Sequence, residues 1–415
     1  MKVKAMKTHV FKDTESGAGE LLRNGGLVAV PTETVYGLAG NGLDEEAVRR
    51  IYEVKGRPAV KPLSLMVPGK EAMKLYCDPV PADAEYLAEK FWPGPLTIVL
   101  NSRGIVPEIV RAGGETVGLR CPDSAPTLNA LKEAEVPFAA PSANPSGEPS
   151  PKTAQEVLRY FDGKIEGLID GGDCVLGTES TIIAMNSLPY RILRQGALPF
   201  EEIADTLAEK MTVIGVTGPS GCGKTSVLDF ASELLKEDCF TVDCDQLYHS
   251  LLAEDRELNA EILRAFPEAA GDPAEGFLHA DRKKLGSIVF GSPAKLCRLN
   301  EITHPYVVRA LKKIIWEQAM NGRKTAVIDA SELIGSGADD LCSVTVSVLS
   351  AFENRVSRIM MRDGISRPDA EKRIKAQHED AYYSSNTDYS VRNDGTFEQY
   401  RENITKLLNI IVGGK

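Results

Sequence analysis

The chain has 415 residues and a net charge of −11, which allows two or three domains at roughly 150 residues each and argues against holding nucleic acid by bulk electrostatics. Its eight cysteines are scattered without a C-x-x-C pair, which argues against a zinc site and for reduced thiols in a cytoplasmic protein. No apolar run approaches the ~20 residues that span a bilayer, and residues 1–9 lack the apolar core of a signal peptide.

Residues 15–24 read as a short helix stopped by Gly25-Gly26, and residues 27–30 as a buried strand. That strand runs into Pro31-Thr-Glu-Thr34-Val-Tyr-Gly-Leu38, whose hydroxyls, carboxylate and phenol suit a binding loop or a polar turn. Residues 45–54 form a helix with Ala47, Val48, Ile51 and Val54 on one face. It delivers Lys55-Gly-Arg57-Pro-Ala-Val-Lys61, three close cations able to neutralise a triphosphate, or else a solvated basic loop. Strands follow at 97–100 and at 115–122, the latter holding Thr116 and Arg120. Phe138-Ala-Ala-Pro-Ser142-Ala-Asn144-Pro-Ser-Gly-Glu-Pro-Ser150 is a strand running into a small-polar loop. Gly177-Thr-Glu-Ser180-Thr-Ile-Ile183 places hydroxyls at the head of another strand, and Tyr190-Arg-Ile-Leu-Arg194-Gln-Gly196 closes the half.

Taken in order, Thr-Glu-Thr-Val-Tyr-Gly, Lys-x-Arg, Gly-Leu-Arg-x-Pro, Ala-Pro-Ser-Ala-Asn, Ser-Thr-Ile and Arg-x-Gly resemble the YrdC-like family of threonylcarbamoyl-AMP synthases over residues 14–198. The resemblance implies a twisted, largely open α/β sheet around a positively charged cavity. It implies a reaction joining L-threonine, bicarbonate and ATP into threonylcarbamoyl-AMP and pyrophosphate, with a partner complex that transfers the product to tRNA. It puts ATP contacts at Lys55, Arg57, Lys61, Thr116, Ser142, Asn144, Ser150 and Arg194, and threonine contacts at Thr34, Arg120 and Ser180. Arg120 suits a carboxylate in a two-toothed pair, and Lys55 and Arg57 suit the charge that builds as pyrophosphate leaves. No general base is evident, which fits a mechanism of positioning N-carboxythreonine. Met66 stands where some members carry a histidine in Pro-Leu-x-x-His.

A polar, acidic linker over 199–210, expected as a short helix, leads to the second half at 211. There an apolar strand at 211–217, then Gly218-Pro-Ser220-Gly221-Cys222-Gly223-Lys224-Thr225, then a helix at 226–236 meet the context of a phosphate-cradling P-loop. Lys224 would reach the β- and γ-phosphates of ATP, and the Thr225 hydroxyl would hold Mg²⁺. Residues 239–245 read as a strand ending in Asp243 and Asp245. An aspartate there can accept a hydroxyl proton during phosphoryl transfer, or cap a helix. Residues 282–290 and 293–320 read as helices with Asn300-Glu-Ile-Thr-His304-Pro305 between them, and 324–330 and 343–349 as strands. The helix at 353–362 carries Arg355, Arg358 and Arg362 on one face, and 368–378 is helical again: a closing lid or a solvated basic hairpin.

Arg358-x-x-x-Arg362-Asp-Gly-Ile-Ser, Arg373-Ile-x-x-Gln377, Thr387-Asp-Tyr-Ser-Val-Arg-Asn393-Asp-Gly395 and Leu299-Asn-x-x-x-His304-Pro305 resemble the dephospho-coenzyme A kinases over 211–411. That family phosphorylates the ribose 3′-hydroxyl of dephospho-coenzyme A with ATP and Mg²⁺. The resemblance makes Asp245 the base, sets Lys224 and Arg362 on the transferring phosphate, and sets Arg358 and Asn393 near the nucleotide. Where the family usually has Pro-Leu-Leu-Phe-Glu after its third strand, this chain has Asp329-Ala-Ser-Glu332-Leu. The P-loop wording also resembles uridine kinases, so a nucleoside acceptor stays open, as do a silent kinase half and an RNA-binding first half. The expectation is an α/β chain with a YrdC-like domain at 1–198 and a parallel-sheet P-loop kinase with a lid at 211–415.

Overall fold

A computed structural model describes residues 7–12, 17–271 and 278–413, so Glu15, the expected start of the first helix, and residues 1–6 lie outside the described residues. The chain divides into two compact units, Met1–Leu207 and Ala208–Lys415. The first is built on ten strands among the described residues: β1 (His9–Lys12), β2 (Val28–Val30), β3 (Gly37–Asn41), β4 (Ser64–Met66), β5 (Leu96–Asn101), β6 (Thr116–Arg120), β7 (Phe138–Ala139), β8 (Gly167–Asp170), β9 (Thr181–Ala184) and β10 (Arg191–Arg194). They form one mixed sheet in the order β1-β8-β2-β3-β7-β4-β6-β5-β9-β10.

Packing rather than propensity makes β3. Gly37-Leu-Ala-Gly-Asn41 has two glycines and no β-branched residue, a poor strand by composition. A Cβ on Gly40 would lie 3.0 Å from Leu27 Cδ2 and 3.1 Å from Ile51 Cδ1. The glycine therefore lets the helix Glu45–Lys55 close down on the sheet through Ile51. That helix is started by Asp44, whose side chain accepts the Glu46 N–H at 2.9 Å. Residues 199–210, expected as a linker, contain the helix Phe200–Ala208 with Ile203, Ala204 and Leu207 buried.

The second unit has a five-stranded sheet, all parallel: β11 (Thr212–Thr217), β12 (Cys239–Asp243), β13 (Thr325–Asp329), β14 (Val344–Leu349) and β15 (Tyr389–Arg392), in the order β12-β13-β11-β14-β15. Every residue of β11 is buried, as a central parallel strand covered on both faces requires. Its core joins Ile214, Val216, Val327 and Val346 to Val227 and Ala231 of the P-loop helix Thr225–Leu235 and to Ile404 and Leu408 of the last helix, Phe397–Gly413. A second cluster, with Leu258, Ile262, Val289, Leu299 and Ile302, holds the helices around Pro293–Met320. The Asn300–Pro305 stretch lies inside that helix, not between two helices, and Pro305 is accommodated within it. Asp245 belongs to the first turn of the helix Cys244–Glu254, one element later than expected, because Asp243 caps that helix.

Two candidate active sites

In the first unit, strand ends converge on a cavity of about 300 Å³. Thr34 follows β2, Arg120 ends β6, Thr116 begins it, Ser142 follows β7, Ser180 precedes β9 and Arg194 ends β10; with Arg57, all line this cavity. Lys55, Lys61, Asn144 and Ser150 do not line it.

Three of those four have other work. The buried Lys55 ammonium donates to the main-chain oxygens of Ser142 and Asn144, clasping the loop that carries Ser142. Burial, and then the Arg57 charge, pull its pKa down to about 7. Ser150 Oγ donates at 2.7 Å to Glu179, a cavity residue missed in the sequence, and that bond holds the Glu179 carboxyl below its ordinary range. The Asn144 amide nitrogen donates to Pro145 O and Glu148 O, while its buried Oδ1 has no hydrogen-bond partner among the described residues. Lys61 lies exposed on the turn after Arg57.

Arg120 is not a free cation. Its Nη2 donates to Glu33 Oε1 at 2.6 Å and to Thr34 Oγ1 at 2.9 Å, and its Nε to Gly94 O at 3.3 Å. Glu33 Oε2 accepts the Asp123 N–H at 3.1 Å, so this buried pair is held on both sides. Arg194 donates to Ser180 O at 2.7 and 3.1 Å and to Ser180 Oγ at 3.2 Å, and Ser180 Oγ meets Thr97 Oγ1 at 2.8 Å. Burial lowers the pKa of both Arg57 and Arg194. A bound polyanion would offset the desolvation of Arg57 and Arg194, while Arg120 already has Glu33. Met66, at the position of the family's histidine, is buried against Gly37, where a Cβ would lie 3.2 Å from Met66 Cε.

In the second unit, the P-loop requires its glycines. A Cβ on Gly218 (φ 141°) would lie 2.2 Å from Val348 O, and one on Gly223 (φ 101°) 2.4 Å from Asn393 Nδ2. The loop is braced from behind. Asn393 Nδ2 donates to Cys222 O at 2.9 Å, Tyr400 Oη to Gly223 O at 3.0 Å, and Arg358 to Gly221 O at 3.2 Å and Asn393 Oδ1 at 3.2 Å. In a trans peptide the N–H points opposite the C=O. Holding the Cys222 and Gly223 carbonyls on one side therefore turns the Gly223 and Lys224 N–H groups to the other. Arg358 and Asn393, expected beside the nucleotide, thus stand behind the loop, and Tyr400 is a brace the sequence reading missed. Cys222 is buried, which raises its thiol pKa.

The three arginines expected over the phosphate do not act alike. They lie on the helix Phe352–Asp363, whose inner face packs on the P-loop. Arg355, 6% exposed, donates to Ser220 O at 3.0 Å and to Gln377 Oε1 at 3.1 Å, and Gln377 Oε1 also accepts the Ser220 N–H at 2.9 Å. Only Arg362, on the last turn and 58% exposed, projects outward. Its hydrogen bond to Asp363, and more weakly the Asp245 charge, raise its pKa.

The two carboxylates after β12 divide their roles. Asp243 Oδ1 accepts the N–H groups of Asp245 (2.9 Å) and Gln246 (3.1 Å) as an N-cap. Asp245 is exposed and lines an apolar cavity of about 230 Å³ with Tyr248, Leu299, His304 and Glu332. An outer groove of about 690 Å³ shares His304 and Glu332 with it. Burial lowers the His304 pKa, partly offset by Glu332. Lys224 is buried and its ammonium donates to Gly218 O at 2.9 Å. Thr225 Oγ1 donates to Asp329 Oδ2 at 3.3 Å. Burial lifts the Asp329 pKa to about 6, against the pull of Lys224. Asp329 closes β13, and an acidic residue ending a strand in a P-loop unit is the sequence signal that marks it.

Two family models match. Sua5/YciO/YrdC, described as telomere recombination, covers residues 20–196, and CoaE, dephospho-CoA kinase, covers residues 212–399. A threonylcarbamoyl-AMP synthase of Pyrococcus abyssi is 48% identical over 192 residues, 46% of this chain and 56% of the relative. A putative threonylcarbamoyl-AMP synthase of Methanocaldococcus jannaschii is 37% identical over 181 residues, 44% of this chain and 84% of the relative. A dephospho-CoA kinase of Leptospira interrogans is 32% identical over 206 residues, 49% of this chain and 95% of the relative. The chain spans about half the length of the first curated synthases it matches. Among the described residues, no helix is long and apolar enough to cross a membrane.

Proposed function

We propose that this chain, which belongs to the Sua5/YciO/YrdC family through its first half and to the dephospho-CoA kinase family through its second, is a cytoplasmic enzyme with two ATP-dependent activities. The first half joins L-threonine, bicarbonate and ATP into threonylcarbamoyl-AMP and pyrophosphate, for a transferase complex that modifies tRNA. The observation that carries this reading is the convergence of Arg57, Arg120 and Arg194 with Thr34, Ser142 and Ser180 on one cavity. Arg120, aimed by Glu33, takes the threonine carboxylate. Arg57 and Arg194 neutralise the triphosphate, and Lys55 and Asn144 shape the loop that presents Ser142. Positioning and fixed charge do the chemistry, without a side-chain base.

The second half moves the ATP γ-phosphate onto the 3′-hydroxyl of dephospho-coenzyme A. The P-loop N–H groups and Lys224 hold the phosphates, Asp245 accepts the hydroxyl proton, and Arg362 meets the phosphate in transfer. The Thr225 hydroxyl offers the hard oxygen that Mg²⁺ takes, and bound Mg²⁺ supplies charge neutralisation at the phosphates. One observation favours a second reading, in which the acceptor is a nucleoside. Among the described residues, the cavity beside Asp245 is lined by Glu332 and no lysine or arginine, which suits an uncharged acceptor better than a pyrophosphate.

The tests are separable. Arg57→Ala is expected to remove pyrophosphate release that requires threonine and bicarbonate, and Lys224→Ala to remove ADP formation alone. Pyrophosphate release surviving the first change would refute the assigned synthase site, and ADP formation surviving the second would refute the assigned kinase site.

A further inference from the structure

At the carboxyl edge of the parallel sheet, β13 passes into the loop that carries Glu332. Open α/β sheets bind ligands along that edge. The loop is fixed on both sides of Glu332. The Ala330 N–H donates to Val216 O at 3.0 Å, and Ser331 O accepts the Thr217 hydroxyl at 3.3 Å. Leu333 is fully buried, and the Asp339 carboxylate accepts the N–H groups of Gly335 and Gly337 at 2.9 and 3.1 Å. Between these anchors the Glu332 side chain is exposed. It lines both the apolar cavity that holds Asp245 and the outer groove.

Among the described residues, Asp245 and Glu332 are the acidic side chains of that cavity, and neither lining contains a lysine or arginine. The Glu332 carboxylate makes no hydrogen bond and no ion pair among the described residues; it acts on His304 and Tyr383 by charge alone. A ligand that closes such a cavity strips water from two carboxylates and must give donors to both. An anionic group between them is repelled, whereas a neutral hydroxyl donates to a carboxylate, which can only accept. If Asp245 takes the proton of one hydroxyl, Glu332 holds a second that keeps its proton.

We infer that Glu332 is a specificity residue: it binds the ribose hydroxyl next to the one that is phosphorylated, so that the second half takes acceptors with a vicinal cis-diol. This rests on the kinase reading above. It holds for dephospho-coenzyme A and for a nucleoside phosphorylated on the same ring hydroxyl, since both present that diol. Glu332 selects the acceptor and Asp245 remains the base.

The test follows ADP formation by the full chain with saturating ATP and Mg²⁺, after subtraction of the signal from Lys224→Ala. The acceptors are dephospho-coenzyme A, adenosine and the 2′-deoxy form of each. In the unaltered protein, loss of the 2′-hydroxyl is expected to lower kcat/KM by ~10- to 100-fold, the worth of a hydrogen bond to a charged group. Most of the loss should appear in KM, because a hydroxyl that does not react is held alike before and during transfer. Glu332→Leu, checked for fold by circular dichroism, should use ribose and deoxyribose acceptors within about twofold of each other, through a loss on the ribose acceptor alone. Glu332→Gln, which keeps one acceptor oxygen, should fall between Glu332→Leu and the unaltered protein. Unaltered protein that uses the deoxy acceptor as well as the ribose one overturns the inference. So does a folded Glu332→Leu protein that keeps the full preference for ribose. No ADP above the Lys224→Ala signal with either ribose acceptor overturns the kinase reading itself, and the inference with it.

Discussion

Lys55 in the first half and Lys224 in the second are both buried, and both donate to main-chain oxygens. Among the described residues, the charge that acts on Lys55 is the like charge of Arg57, and it adds to the effect of burial. Lys224 sits beside Asp329, and the Asp245 carboxylate stands at the neighbouring cavity. The difference matches two kinds of chemistry. The first cavity gathers Arg57, Arg120 and Arg194, with its carboxylates tied up by Arg120 and Ser150, which suits the proposed departure of pyrophosphate without a base. The second sets Lys224 beside Asp329 with Asp245 exposed near by, which suits the proposed transfer, in which a proton leaves a hydroxyl as phosphate arrives.

The sharpest way to break this contrast is to remove the base. Asp245→Asn is expected to lower the rate of ADP formation by ~10²- to 10⁴-fold, with ATP affinity and pyrophosphate release unchanged, as steady-state assays of both products would report. The counterpart in the first half is a charge, not a base. Arg57→Ala should lower kcat/KM for pyrophosphate release by ~10²-fold, with a pH–rate profile that keeps its shape.

Smaller effects sharpen the comparison. The second site depends on braced peptides, so Tyr400→Phe, which frees Gly223 O, should weaken P-loop nucleotide binding by ~5-fold, the worth of about one hydrogen bond. Beside the first site, burial and then the Arg57 charge pull the Lys55 pKa down to about 7. Polyphosphate binding should restore its charge, so ATP binding at pH 8 is expected to take up about one proton. Calorimetry in buffers of different ionisation heat would show it, and Lys55→Met should abolish it.

The stability signs run opposite ways. The Lys55 pKa falls from 10.5 unfolded to about 7 folded. The unfolded chain holds more protons in that window, so this group's contribution grows as pH rises through it. The Asp329 pKa rises from 3.8 to about 6. The folded chain holds more protons there, so its contribution is lost as pH rises from 4 to 6. Asp329→Asn should therefore stabilise the metal-free second half at pH 7, by no more than ~3 kcal/mol, as thermal unfolding would measure.

Much of this could be read from the sequence because the signals are local. The P-loop needs one strand, three glycines and one helix, all contiguous. The first cavity needs strand ends, and Arg120, Ser180 and Arg194 each mark one. What the sequence left out depends on long-range packing. β3 is a strand because Gly40 admits Leu27 and Ile51. Spacing put Arg355, Arg358 and Arg362 on one face, but it could not say that this face meets the P-loop. Glu33 on Arg120 and Glu179 on Ser150 are pairs that only the folded sheet brings together.

The central claim is that one chain carries two independent ATP-dependent reactions. Its most direct test is mass spectrometry of the full-length protein given ATP, Mg²⁺, L-threonine, bicarbonate and dephospho-coenzyme A. The prediction is threonylcarbamoyl-AMP with pyrophosphate and coenzyme A with ADP, and loss of only the second pair in Lys224→Ala. Absence of either pair in the unaltered protein, or loss of both together in the variant, would contradict the account.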